Sequence, residues 1–533
     1  MEPKKRRYPV GIQTFSEIIR GGYVYVDKTD LVWQLQDGQK YVFLSRPRRF
    51  GKSLLSSTLR SFFEGRKELF LGLKVMELEQ EWKASPVIHL DLSLTKGQES
   101  AAALRSRLML LLKDYAAIYG HDEDEFTPGS MLQGLIKRAY KQTHSQVVVI
   151  IDEYDAPLLE VLHEEEDLSQ FRKVMQEFYV PLKACDPYLR FCFITGITKF
   201  SQLSIFSSLN NMLNVTLNPR YSAICGITEK ELTTALHEDI CQMATEYGCS
   251  PEEMHAKLKA KYDGYHFSEK SEEVYNPFSL MTAFLQQKLG NYWFDTGTPS
   301  YLIHQMQRFR TNITAMDNLE VPVSAFDRTT EAMTNALPLL YQSGYLTIKG
   351  YEPDGEIYTL SMPNQEVRFG YADGLLPAYV GLEGEDVQAG FALKFWRALK
   401  QHDLAQALRE LQAYLAGIPY VEGFKKKLAE AATAEGFYEY TFYLIFSMLN
   451  VYVRTQVKCA GGRTDVVVLM PDATYVLELK TNGTAQSALD QINQKGYAIP
   501  YQTNDQRVVK AGIHFNTDTR TIDDWVIENQ VHF

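Results

Sequence analysis

The stretch Tyr41-Val42-Phe43-Leu44-Ser45-Arg46-Pro47-Arg48-Arg49-Phe50-Gly51-Lys52-Ser53 decides the reading of the fold. Tyr41 to Leu44 read as a short buried strand, and Leu54, Leu55, Leu59, Phe62 and Phe63 fall at helical spacing beyond the loop. Strand, loop and helix in that order are the setting of a phosphate-binding loop, whose usual pattern is G-x-x-x-x-G-K-[ST]. Gly51-Lys52-Ser53 matches the end of that pattern, and Arg46 stands where the first glycine is usual. Pro47, with its fixed φ, can restrain the turn in its place. Backbone N–H groups along Arg46 to Leu54 are then expected to cradle phosphate at the helix start. Lys52 would neutralise the β- and γ-phosphates, and Ser53 would hold Mg²⁺.

Gly-Lys-Ser alone is a weak signal, because a surface turn ahead of a helix reads the same way. Its downstream partner strengthens it. Val147-Val148-Val149-Ile150-Ile151 is an unbroken β-branched run ending in Asp152-Glu153. Such a run suits a strand buried on both faces of a parallel sheet. Asp152 is expected to bind Mg²⁺ through water, and Glu153 to polarise the attacking water. The plainer reading of Asp152 is a strand-terminal cap, which does not call for two adjacent acids. The next strand, Phe191-Cys192-Phe193-Ile194, leads to Thr195, Thr198 and Lys199 at its carboxyl end, where ligands of such sheets bind. One of these three would sense the γ-phosphate, or the segment is an ordinary polar turn. Arg46, Arg48 and Arg49 add positive charge beside Lys52. They would embrace phosphates or act across a subunit boundary in a homo-oligomer, and the sequence leaves both roles open.

Outward from this core, Val87 to Leu92 read as another strand, residues 100–118 and 167–184 as helices, and Gly21 to Val26 as short strand and turn signals. The alternation indicates an open α/β domain over residues 1–228. From 229 to 400 helices and short aromatic segments dominate. There Gly344–Ile348 and Ile357–Leu360 read as a strand pair, winged-helix-like with the helix before it. Residues 401–533 read as a second α/β module: a long aromatic helix from about 430, strands Thr464–Leu469 and Tyr475–Leu479, and a helix over 487–497.

In that module Asp465 opens one strand and Glu478-Leu479-Lys480 closes the next, with Met470 to Thr474 as the hairpin turn. Alternation puts Glu478 and Lys480 on one face. Glu-x-Lys is common on exposed strands, but Val476-Leu477-Glu478-Leu479 is otherwise apolar, and an unpaired acid is costly to bury there. Asp465 and Glu478 can hold a divalent cation, Mg²⁺ or alternatively Mn²⁺. Lys480 can position a water or stabilise a pentavalent phosphate. Gln491 and Tyr497 on the following helix can contact a phosphate backbone or water. Glu435 and Glu439 lie on the preceding helix, and either can complete the metal site.

Composition sets limits. The 533 residues are 45% hydrophobic and 23% charged, ordinary for a globular protein. No apolar run long enough to span a membrane is present, and no secretory signal or membrane association is expected. Six scattered cysteines, none in a C-x-x-C pair, suit a reduced, cytoplasmic protein. The cluster Lys4-Lys5-Arg6-Arg7 reads as a solvated terminus. A net charge of −11 argues against wholesale binding of nucleic acid. From Glu435 to Phe533 there are eight Lys plus Arg against eleven Asp plus Glu, so that module is not itself a basic groove. Phosphate attraction must come largely from elsewhere.

Together these residues resemble a bacterial family that joins an AAA-ATPase-like domain to a module of the PD-(D/E)XK nuclease superfamily. The resemblance rests on Pro9-Val10-Gly11-Ile12-Gln13, Tyr25-Val26-Asp27-Lys28-Thr29, the loop Ser45–Ser53, Asp152-Glu153-Tyr154-Asp155-Ala156-Pro157 and Thr195-Gly196-Ile197-Thr198-Lys199-Phe200. It continues through Tyr262-Asp263-Gly264-Tyr265, Tyr275-Asn276-Pro277-Phe278, Gly462-Arg463-Thr464-Asp465 and Glu478-Leu479-Lys480, covering nearly the whole chain. It implies ATP and Mg²⁺. Arg46 fits it, since that family commonly carries arginine for the first loop glycine. Thr464-Asp465 stands for the proline-aspartate pair, and Tyr438-Glu439 for a Tyr-His pair common in relatives. The expected function is an ATP-binding, ATP-hydrolysing protein coupled to a Mg²⁺-dependent nuclease acting on DNA or RNA, in defence or mobile-element biology. The alternatives are a signalling-type ATPase switch whose carboxyl-terminal module binds nucleic acid or protein without cutting, and a pure remodelling ATPase.

Overall fold

The computed structural model describes residues 6–162, 164–199, 212–294, 300–309, 311–312, 316–329, 333–380, 391, 394–395, 397–416, 438, 441–443, 445, 452–459, 462–470, 472–502, 507–519 and 521–530. They fall into two compact units. One comprises the described residues up to Trp293 with those of 300–309 and 317–364. The other comprises those from Gln365 onward with Phe294, 311–312 and Met316.

The first unit is built on a parallel sheet of β1 (Tyr41–Ser45), β2 (Val87–Asp91), β3 (Val147–Asp152), β4 (Leu189–Gly196) and β5 (Leu213–Asn214), in the order β2-β3-β4-β1-β5. Every residue of β1 and β3 is buried, the burial on both faces that their apolar runs require. Because all strands run the same way, their carboxyl ends share one edge. There β4 lies between the strand that feeds the loop and the strand that carries Asp152. The helix Lys52–Phe63 buries Leu55, Leu59, Phe62 and Phe63 along one stripe. Helix Ala101–Tyr119 starts at a Ser100 cap and buries Leu104, Leu108 and Leu112; helix Pro128–Thr143 starts at a Thr127/Ser130 capping box. Helix Glu165–Ala184 leads into β4. Residues 23–28 form no strand, unlike the strand and turn signals read over Gly21 to Val26; Val24 N–H is bonded to Arg7 O.

The same unit continues through a two-stranded antiparallel pair, β6 (Ile227–Thr228) and β7 (Val274–Tyr275). Helices Glu229–Ala235, His237–Tyr247, Pro251–Tyr262 and Pro277–Gln286 enclose a core that includes Leu232, Ile240, Leu258, Tyr262 and Leu280. Arg6 is tied to this region by an ion pair to the buried Asp239 at 2.9 Å. Then β8 (Leu319–Pro322), β9 (Thr347–Glu352) and β10 (Ile357–Ser361) form an antiparallel sheet in the order β8-β10-β9. The β9–β10 hairpin follows helix Leu337–Gln342.

The second unit holds a five-stranded mixed sheet: β11 (Tyr452–Cys459), β12 (Gly462–Leu469), β13 (Ala473–Lys480), β14 (Arg507–Asn516) and β15 (Thr521–Gln530), paired in sequence order. Only β13 and β14 are parallel, and helix Ala485–Lys495 makes the crossover that a parallel pair needs. Its buried face is Ala485, Ala488, Leu489 and Ile492. The fold is thus α/β, with a parallel sheet ahead of a carboxyl-terminal mixed sheet. Among the described residues no helix is long and apolar enough to cross a membrane.

Candidate functional sites

The loop after β1 bends where the sequence lets it. Gly51 takes φ 90°, a left-handed conformation that suits glycine, and caps the helix beginning at Lys52. Lys52 is buried; its Nζ donates to Pro47 O at 3.2 Å and lies 3.4 Å from Glu153 Oε1. Asp152, at the end of β3, is hydrogen-bonded by the Ser53 side chain. Burial lifts its carboxyl to about 6, with Ser53 and Lys52 acting against the rise. Burial also acts to raise Glu153, but Lys52, Lys96 and Arg48 outweigh it and hold that carboxyl below its ordinary range. Glu153 keeps φ 50°, an uncommon conformation for a residue with a side chain.

A cavity of about 370 Å³ opens on this loop, lined by Arg49, Phe50, Gly51, Lys52, Ser53 and Leu54 with Glu153. Its other walls are the segments Pro9–Gln13, Val24–Val26 and Ile224–Ile227, with Phe278 and Met281. One side is therefore cationic and rich in backbone N–H, and the other is apolar. That is the division a nucleotide needs between its phosphates and its base. Lys28 also lines the cavity, paired with Glu231 at 2.5 Å.

The arginines divide. Arg46 is buried: its guanidinium donates to Ser45 O and Thr216 O at 2.9 Å and to Tyr221 O at 3.0 Å, and lies 4.1 Å from the Phe267 ring. Desolvation lowers its pKa to about 10. These bonds spend the side chain on the scaffold, so the structure places it as a brace in the position of the missing glycine. Arg49, at φ 63°, lies over Phe278 at 4.0 Å and donates to Tyr292 O. Arg48 accepts Trp293 Nε1–H at its carbonyl, 3.1 Å, and its charge reaches Glu153. Phe50 packs edge-on against Tyr265 and Phe267.

Beyond β4, the Thr195 hydroxyl donates to Leu44 O at 2.7 Å and is fully buried. Thr198 donates its hydroxyl and its backbone N–H to Asp155 Oδ2, both at 2.6 Å. Lys199 pairs with Asp327 at 2.8 Å. None of these contacts is with Lys52 or Asp152. Sequence reasoning passed over Asp155 as a separate element. It is fully buried, and burial, with Glu153 next, raises its carboxyl. It fastens the turn after β4 to the turn after β3. Gly196 must be glycine there, because a Cβ would come within 2.3 Å of Asp155 Oδ1.

In the second unit the register carries Asp465 to the position across from Glu478: Val466 pairs with Leu477 one step further on. Asp465 N–H points to Glu478 Oε2 at 3.4 Å, and Leu479 N–H donates to Asp465 Oδ2 at 2.9 Å. Lys480 Nζ lies 3.4 Å from Glu478 Oε1, and the Gln491 amide donates to that same oxygen. Tyr497 OH is 3.5 Å from Gln491 Nε2. Glu478 is 1% exposed, and burial followed by the Asp465 charge pushes its carboxyl up to about 7. A buried Glu478 beside the half-buried Asp465, the two repelling each other, fits a hard divalent cation, which prefers oxygen ligands. Among the described residues no group of three or more His, Cys, Asp or Glu is arranged around a metal. Glu435 and Glu439 lie outside the described residues.

Residues 9–206 match the family described as "Predicted AAA-ATPase", and residues 433–525 match the PD-(D/E)XK nuclease superfamily. A relative from Azotobacter chroococcum mcd 1, "Uncharacterized protein in vnfD 5'region", is 32% identical over 538 residues, spanning 98% of this chain and 99% of its own length. The chain belongs to this AAA-ATPase-like family with a carboxyl-terminal PD-(D/E)XK nuclease module. These two kinds of domain generally use a nucleotide and a divalent metal. In this AAA-ATPase-like protein the loop with Asp152 and Glu153 falls in the first matched segment, and Asp465, Glu478, Lys480 and Gln491 in the second.

Proposed function

We propose that this protein binds and hydrolyses ATP at the Arg46–Leu54 loop and uses a Mg²⁺- or Mn²⁺-dependent site at Asp465, Glu478 and Lys480 to cleave DNA or RNA. The observation that carries the nuclease reading is the apposition of Asp465 and Glu478, with Lys480 beside them on a strand otherwise buried. A divalent cation there would polarise a phosphoryl oxygen and ease deprotonation of water. Asp465 and Glu478 would hold that cation, Lys480 would stabilise charge developing on the scissile phosphate, and Gln491 would keep Glu478 in place.

In the first unit Lys52 would exchange Glu153 for the β- and γ-phosphates. Ser53 and Asp152 would hold Mg²⁺, and Glu153, released, would accept a proton from the attacking water. The apolar wall formed with Val24, Val26 and Phe278 would take the base. Arg48 and Arg49, next to this site, would meet phosphates of the same subunit or of a neighbour in a homo-oligomer. We place the protein in the cytoplasm, where ATP control of a nuclease suits defence or mobile-element biology.

The test is a cleavage screen on plasmid DNA, single-stranded DNA and RNA with Mg²⁺ or Mn²⁺, comparing the wild type with Lys480→Ala. Metal-dependent cleavage lost in the variant supports the proposal. No cleavage of any substrate, with ATP turnover intact, favours a switch that binds without cutting.

A further inference from the structure

Gln456 lies on β11 across from Asp465. The β11–β12 ladder pairs Thr455 with Val466 and Val457 with Thr464, and the position between them is Gln456 opposite Asp465. At that step Gln456 takes φ 51°. A left-handed residue inside a strand is costly for most side chains, Asn and Asp being better tolerated and glycine free of the cost, and it persists where surrounding structure enforces it. The distortion is coupled to a contact: Gln456 Nε2 donates to Asp465 Oδ1 at 3.3 Å. Leu479 N–H holds the other oxygen, Oδ2, at 2.9 Å. The Asp465 carboxylate is therefore held from two strands, by Gln456 at Oδ1 and by Leu479 at Oδ2. Glu478 is held in a similar way by the Gln491 amide.

We propose that Gln456 is a positioning residue for the divalent-cation site, its strained backbone maintained because it delivers an amide donor to Asp465. The inference rests on the reading of Asp465 and Glu478 as that site. A ligand carboxylate left to rotate must be ordered each time a cation binds, and a fixed one need not be. Neither the apolar pattern of β11 nor the Glu-x-Lys motif points to Gln456. The signal is the single left-handed step opposite the aspartate.

The test measures Mn²⁺ binding to the full chain by electron paramagnetic resonance without nucleotide, with Asp465→Ala subtracting cation bound elsewhere. Two variants separate backbone from side chain. Gln456→Asn tolerates the left-handed conformation but is one methylene too short to reach Asp465. Gln456→Gly relieves the strain outright. Both are expected to fold, the glycine variant melting at or above the wild-type temperature, and to bind Mn²⁺ roughly 10- to 100-fold more weakly. A residue with a merely structural role would change melting and leave the affinity unmoved. Wild-type Mn²⁺ affinity in either folded variant overturns the inference. If the wild type binds no more Mn²⁺ than Asp465→Ala, the cation-site reading itself fails, and this inference with it.

Discussion

Lys52 Nζ lies 3.4 Å from Glu153 Oε1, so the lysine proposed to bind phosphate is paired with the acid proposed to activate water. The pair keeps each charge compensated in a buried setting. On the proposed mechanism, phosphate would have to take the lysine before the acid is free to act. Glu153→Gln removes this competition and the base together. It is expected to bind ATP at least as tightly as the wild type and to lose turnover by roughly 10²- to 10⁴-fold. Equilibrium binding of a fluorescent ATP analogue and phosphate release measure the two effects.

Asp152 and Asp155 lie three residues apart and are expected to differ sharply. Asp155 accepts Ile197 N–H, Thr198 N–H and the Thr198 hydroxyl inside the core. Asp155→Ala strands those donors and should cost about 3 kcal/mol or more, read as a fall in melting temperature. Asp152→Ala should melt near the wild type, since burial already disfavours its charge, yet weaken Mg²⁺-dependent ATP binding.

Arg46→Ala tests whether the guanidinium serves the scaffold or the ligand. Three carbonyls lose their guanidinium bond, Tyr221 O keeping Ile224 N–H, and about 3 kcal/mol of stability should go with it. At a temperature where the variant is folded, ATP affinity should stay within a few-fold of wild type. A large loss of affinity without loss of stability would assign the side chain to phosphate.

Much of the first site was legible because its signals are local. An apolar run followed by Gly-Lys-Ser and a second run followed by two acids report burial and chemistry within a few residues. The fate of Arg46 was not legible: Thr216 and Tyr221, whose carbonyls it braces, are distant in sequence. Gly21 to Val26 carries short strand and turn signals, but such signals do not reveal whether a pairing strand exists, and 23–28 form no strand. In the second unit β12 and β13 stood out by their valines and leucines. In contrast β15, with Asp523, Asp524, Glu528 and Asn529, owes its place to pairing with β14 rather than to its own composition. Gln456 was invisible, since a left-handed step leaves no mark on residue type there.

Glu478 titrates at about 7, raised above its ordinary value by burial. Between the ordinary value and 7 the folded state holds a proton that the unfolded state has lost. Stability therefore falls as pH rises through that window, by on the order of 3 kcal/mol. Glu478→Gln removes the dependence, so its melting advantage over wild type should be absent at pH 4 and full at pH 8. At the proposed cation site Mn²⁺ would compete with the same proton, so wild-type affinity should rise from pH 6 to pH 8 and level off above it.

The most direct test of two separate chemistries in one chain measures phosphodiester cleavage and ATP turnover in the same samples of wild type, Lys52→Ala and Asp465→Ala. Asp465→Ala should abolish metal-dependent cleavage and keep ATP turnover, while Lys52→Ala should lose turnover and any effect of ATP on cleavage. Cleavage by Asp465→Ala at the wild-type rate, or an unchanged ATP response in Lys52→Ala, would contradict the account.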